Sequence, residues 1–195
     1  MKKIYVDVDD VLSQTIEMYI DIADAQFGQR VPLERIRTFD LKTSFDLTEA
    51  QFLYLFDLAH RPDCIMAYAP VQGAVAALNA WKTAGHHIDI VTGRPTSTRE
   101  STLAWLRKTG VPFDSFTMVD KYNRPGNDQT LSVTKAELAA RPFDLAVEDS
   151  VDMALYLAGQ MGVKTVLVDR PWNRACPDHG NLVRQERWDD IFAMA

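Results

Sequence analysis

Five short apolar runs punctuate the chain, at residues 3–8, 88–92, 116–119, 145–147 and 165–168. They are rich in Val and Ile and lack the in–out alternation of a half-exposed sheet, which predicts parallel strands covered on both faces. Between them the apolar positions change period. Over 71–84, Val71, Val75, Leu78 and Trp81 recur at spacings of three and four, and Gly85 supplies a stop. Residues 98–108 carry Leu103 and Leu106 before Gly110, and 151–161 carry Leu155 and Ala158 before Gly162. Strands alternating with helices of this length predict a doubly wound α/β sandwich.

Residues 13–70 depart from the alternation. They contain no strand pattern, only helical segments at 15–27, 33–37 and 48–59, the last opening with the capping-box spacing of Thr48 and Gln51. The segment reads as a helical insertion emerging from the end of the first strand, within a core made of residues 1–12 and 71–195. The polar loop 123–128, Asn123 through Asp128, reads as a connection.

Composition narrows the classes. The 195 residues are 47% hydrophobic and 25% charged, as in a globular protein. With 21 Lys and Arg against 27 Asp and Glu, the formal charge is −6, which disfavours nucleic acid as a partner. No apolar run approaches the roughly 20 residues that cross a bilayer, so no membrane partner is expected. Asp7 falls where a secretory leader would be apolar, and Cys64 and Cys176 form no metal-binding spacing. A cytoplasmic location is expected; a homodimer is left open.

Chemistry enters where polar residues end the apolar runs. Val6 is followed by Asp7-Val8-Asp9-Asp10, Val91 by Thr92-Gly93-Arg94-Pro95, and Val147 by Glu148-Asp149-Ser150. In an open parallel sheet these ends share one edge, where ligands bind. Two carboxylates ~4 Å apart repel by about 4 kcal/mol at an effective dielectric near 20, so Asp7, Glu148 and Asp149 together demand a proton or a cation. An all-oxygen set suits Mg²⁺, which commonly bridges carboxylates to a phosphate. Asp7 is placed to attack phosphorus, and Asp9, two residues on along the same face, to move the protons.

These residues, in this order, resemble the four motifs of the haloacid dehalogenase (HAD) superfamily of phosphohydrolases. The resemblance implies a HAD-like core with residues 13–70 as a cap over the site. It makes Asp7 the nucleophile, Asp9 the general acid and base, and Thr92 a ligand of the phosphoryl group beside Gly93. Mg²⁺ would be held by Asp7, Asp9 through its main-chain carbonyl, and Asp149, supported by Glu148. The third motif supplies a lysine, and Lys135, at the start of the helix before the fourth predicted strand, is favoured; Lys121, just after the third, is the competitor. More narrowly, the chain is similar to the 5′(3′)-deoxyribonucleotidases. That similarity rests on the Asp7-to-Leu12 motif, Pro70-Val71-Gln72-Gly73-Ala74, Val147-Glu148-Asp149-Ser150 and Asp169-Arg170-Pro171-Trp172-Asn173. It implies a small phosphomonoester, a (deoxy)nucleoside monophosphate, as substrate.

Other expectations concern single residues. Arg94 is a candidate phosphate clamp, or else a surface group. Phe39 and Phe45 could stack on a flat ligand, whereas Phe52 and Phe56, four apart on one helix, read as core. Asp10 reads as loop scaffolding, Ser150 as a helix cap, and Trp172 and Asn173 as a lock on the last loop. The histidines receive no role. The competing functions are hydrolysis of another phosphometabolite, such as a sugar phosphate or phosphoglycolate, and a non-catalytic binding module on the same scaffold.

Overall fold

The computed structural model describes residues 1–121 and 124–195; Asn123, the first residue of the expected polar connection, lies outside them. Among the described residues, seven strands form one parallel sheet: β1 (Lys3–Val6), β2 (His87–Thr92), β3 (Ser115–Val119), β4 (Ser132–Val133), β5 (Leu145–Glu148), β6 (Lys164–Val168) and β7 (Leu182–Gln185), in the order β4-β3-β2-β1-β5-β6-β7. The chain steps outward from β1 to β4, then returns to place β5 against the other side of β1. That reversal opens the crevice in which doubly wound sheets bind ligands. Register completes the arrangement: Val6 lies beside Ile90 on β2 and Val147 on β5, and the Asp7 amide donates to the Val147 carbonyl at 3.0 Å. Asp7 and Glu148 therefore leave adjacent strands side by side.

Successive residues of β1 point to opposite faces. Ile4 and Val6 pack into a cluster with Leu78, Trp81 and Trp105 from α5 (Ala74–Thr83) and α6 (Arg99–Thr109). Tyr5 packs on the other side with Leu138, Met153 and Leu157, beneath α7 (Lys135–Ala139) and α8 (Val151–Leu155). The helix expected at 151–161 is α-helical only to Leu155 and continues as a π-helical turn, Tyr156–Gln160. The β4 and β7 strands had no signature in the sequence because they are short and half-exposed, with no apolar run to mark them.

Between β1 and β2 come α1 (Thr15–Phe27), a 3-10 turn Leu33–Arg35, α2 (Leu41–Ser44), α3 (Glu49–Ala59) and α4 (Pro62–Ala67). Gly28 ends α1 in the left-handed region (φ 66°), and the Thr48–Gln51 capping box starts α3. Residues from Ile16 to Ala59 build a separate apolar cluster joined by Trp172, whereas Ile65 and Tyr68 belong to the cluster under the sheet. The first strand ends at Val6, two residues earlier than the apolar run, because Leu12 and Ser13 donate back to the Val8 carbonyl and Asp10 turns left-handed (φ 54°). Among the described residues, no helix is long and apolar enough to cross a membrane.

Candidate active site

The carboxyl ends of β1, β2 and β5 meet at the floor of a cavity of about 680 Å³. Asp7 is buried there. Its Oδ1 accepts from Lys121 Nζ at 2.7 Å and its Oδ2 from the Asp9 amide at 3.0 Å. Lys121 Nζ also donates to Glu148 Oε2 at 2.9 Å, so a single ammonium, itself buried, bridges the two carboxylates. Glu148 is saturated: Tyr5 Oη and Lys121 donate to Oε2, and the amides of Asp149 and Ser150 to Oε1. It holds the lysine and the β5 turn in place. Asp149 accepts from the Trp172 indole at 2.9 Å. Ligand oxygens of Asp7, Glu148 and Asp149 all lie within 4.8 Å of one another.

Three carboxylates against one lysine leave excess negative charge out of water. Burial, reinforced by Glu148, raises the Asp7 pKa to about 8 despite Lys121. Burial and Glu148 also push Asp149 well above the usual carboxylate range. Burial raises Asp10 to about 7 even though its Oδ1 accepts the Ile16 amide. Asp9 moves the opposite way. Burial would raise it, but Arg94 and the Thr15 hydroxyl outweigh that and lower its pKa. Arg94 Nε and Nη2 reach Asp9 Oδ1 at 3.0 and 2.7 Å, and Thr15 Oγ1 donates to the same oxygen at 2.6 Å. The Arg94 guanidinium is 1% exposed and also reaches Ser13 and Thr102. The residue expected to clamp a phosphate therefore engages the second aspartate.

Other expectations need correction. Lys135 starts α7 with its ammonium 5.8 Å from the Tyr156 ring centroid, and Lys121 takes the place beside Asp7. The unrecognised β4 explains the error. Lys135 follows the outermost strand of that half of the sheet, whereas Lys121 follows β3, one strand nearer β1. Phe45 is 1% exposed inside the helical cluster and cannot stack on a ligand. Phe52 and Phe56, expected in the core, do pack against the helical cluster but are only partly buried, and also line the cavity together with Phe39, Leu41, Ile16 and Tyr19. Thr92 is fully buried at the end of β2, its Oγ1 accepting the Arg94 amide, while Gly93 and Arg94 reach the cavity surface. Ser150 caps α8.

A profile of the family described as "5′ nucleotidase, deoxy (Pyrimidine), cytosolic type C protein" matches residues 1–195. The chain belongs to this family. A nucleotidase of Clostridium acetobutylicum is 28% identical over 164 residues, 84% of this chain and 70% of that protein. A candidate nucleotidase of Halalkalibacterium halodurans is 24% identical over 192 residues, 98% of this chain and 91% of its own. A D,D-heptose 1,7-bisphosphate phosphatase of B. bronchiseptica, solved with magnesium and phosphate, shares the fold: TM-score 0.59 at 17% identity, over 100% of this chain and 97% of that one. This member of the 5′ nucleotidase family is thus a phosphomonoester hydrolase with a HAD-type core.

The chain also brings to its cavity residues that had no signal in the sequence. Arg124 sits 4.7 Å from the centroid of the Phe56 ring, so the loop read as a mere connection reaches the site. His60 lines the same wall, with Nδ1 on the Phe56 carbonyl at 2.8 Å, and burial lowers its pKa to about 4. A lone histidine at a helix end carries no pattern. Lys121 did carry one: a lysine two residues beyond an apolar strand stands on the same sheet edge as Asp7.

Proposed function

We propose that this enzyme hydrolyses (deoxy)nucleoside monophosphates in a Mg²⁺-dependent reaction through an aspartyl phosphate on Asp7. The observation that carries the reading is the Lys121 bridge, which holds the Asp7 and Glu148 carboxylates beneath a cavity with an aromatic wall. Lys121 screens the nucleophile from an approaching phosphate and is positioned to hold a phosphoryl oxygen, a role in which it replaces Lys135. One Asp7 oxygen attacks phosphorus, and the bond to the leaving oxygen breaks as that oxygen takes a proton from Asp9. Water then attacks the acylphosphate, gives its proton to Asp9, and releases phosphate and the Asp7 carboxylate. In the first step Asp9 must carry a proton, so it must leave the Arg94 guanidinium. Gly93 meets the phosphoryl group at the end of β2, with the buried Thr92 hydroxyl behind it fixing the turn through the Arg94 amide.

The donor set fits Mg²⁺. All its atoms are oxygens, its ligand atoms gather within 4.8 Å, and the raised pKa values of Asp7 and Asp149 mark negative charge in want of a cation. Asp7, Asp149 and the Asp9 carbonyl would hold the ion, with Glu148 as the anchor behind them. When bound, the ion supplies Lewis-acid polarisation of the phosphoryl oxygen.

The wall supports a nucleoside over a sugar phosphate. Phe39, Phe52, Phe56, Leu41 and Ile16 offer flat apolar contact, and a polyhydroxylated ligand would leave hydroxyls unpaired there. Residues 13–70, as a cap, would exclude water from the acylphosphate. The test is phosphate release from the four deoxyribo- and four ribonucleoside monophosphates and a sugar phosphate, with Mg²⁺ and with EDTA. Nucleotides are expected to turn over only with Mg²⁺. Preference for the sugar phosphate, or full activity in EDTA, would overturn the reading.

A further inference from the structure

Trp172 lines the cavity, and its turn is held by several hydrogen bonds. The Asp169-Arg170-Pro171-Trp172-Asn173 segment leaves β6 and closes at once into a 3-10 turn, Pro171–Asn173. Asn173, fully buried, donates to the carbonyls of Asp149 and Val168 at 2.8 Å each. Its own side-chain oxygen accepts from the Arg170 amide and from Arg184. Arg170 reaches across to the Asp10 carbonyl through Nε at 3.0 Å. The turn is thus tied to the β5 loop and to the loop of the nucleophile.

On this turn the Trp172 indole is 6% exposed. Its ring packs into the apolar cluster of the helical segment and meets Phe39 edge-to-face at 6.1 Å. Its Nε1–H donates to Asp149 Oδ2 at 2.9 Å. An indole can only donate, so this bond commits one carboxylate oxygen and the plane of the group, and leaves the other oxygen for a cation. Partners of this kind, one bond behind a metal ligand, typically change metal affinity by about 10- to 100-fold when removed.

We propose that Trp172 is a positioning residue for Asp149: its indole N–H sets the carboxylate to receive the divalent cation, from a ring seated in the helical segment. The proposal rests on Asp149 as a holder of the cation. Its test is direct Mn²⁺ binding to the full chain, read from the loss of the free-ion electron paramagnetic resonance signal. Trp172→Phe keeps the ring and removes the donor; Trp172→Tyr keeps an aromatic body and moves the donor away. In either folded variant the Mn²⁺ dissociation constant is expected to rise about 10-fold, and the Mg²⁺ concentration giving half-maximal activity to rise in parallel. In the wild-type protein, Mg²⁺ is expected to shift an indole N–H resonance among its four tryptophans. An unchanged dissociation constant in a folded variant would overturn the role of Trp172, as would indole resonances indifferent to Mg²⁺. Absence of Mn²⁺ binding to the wild-type protein would instead remove the metal reading, and this inference with it.

Discussion

The floor and the wall of the cavity are built on opposite principles. The floor concentrates charge: Asp7 and Glu148 share one lysine beside Asp149, with each buried oxygen that has a partner fixed at 2.7–3.2 Å. The wall is made of rings and aliphatic side chains on α1 to α3 and the following loops, with Phe39 48% exposed at the mouth. Buried charges interact over distance and in specific directions, so moving one group disturbs all of them. Apolar contacts add approximately by area and tolerate exchange. The floor should therefore answer to mutation through turnover, and the wall through affinity.

The sharpest break would come at Asp7. Asp7→Asn is expected to lower turnover by about 10³-fold or more, with no loss of melting temperature, because it removes one of three crowded negative charges. A steady-state assay with a parallel melt checks both. The two lysines come next. Lys121→Met should cost about 10²-fold in kcat/KM and several degrees in melting temperature, since Asp7 and Glu148 lose their shared counter-charge. Lys135→Ala should stay within about twofold of wild type; the reverse pattern would return the third-motif role to Lys135.

On the wall, Phe56→Ala or Phe52→Ala should raise KM for a nucleotide about 10-fold, the order expected for losing a ring's contact area, with a much smaller change in kcat. Equal losses in kcat would mean that these rings act on the transition state rather than on binding. The last effect is one of pH and falls on stability rather than activity. His60 has a folded pKa of about 4 against 6.5 for the free side chain. Between these values the unfolded chain binds more protons, so stability rises with pH there. The contribution is complete above about pH 6.5 and lost as pH falls toward 4, worth about 3 kcal/mol. Melts from pH 4 to 7 should show wild type losing more than His60→Phe; parallel curves would reject it.

The division between what could and could not be read in the sequence follows the same line. The Asp7-to-Asp10 loop, the end of β2 and the Glu148-Asp149 turn were legible because each is a polar interruption at the end of an apolar run, and a parallel sheet has only one edge for such ends. Thr15–Phe27 and the Thr48 cap were legible because helical period and cap chemistry are local. The aromatics were not. Phe45 and Phe56 share a type and a neighbourhood, yet one is sealed in the helical cluster and the other faces the cavity. Which one a ligand meets depends on how α2, which is C-capped by Phe45, and α3, which carries Phe56, pack against their neighbours, a matter of packing between elements.

The chain by itself determined the chemistry of the floor, because strand ends and their charges are set by covalent order and a period of two. Tertiary structure decided the partners. It chose Lys121 because the short strand β4 displaces Lys135 to the rim, turned Arg94 onto Asp9, and brought Trp172 behind Asp149 from 23 residues away. Each of these choices rests on a distance between residues remote in sequence, and only the assembled sheet and its helical cover fix such distances.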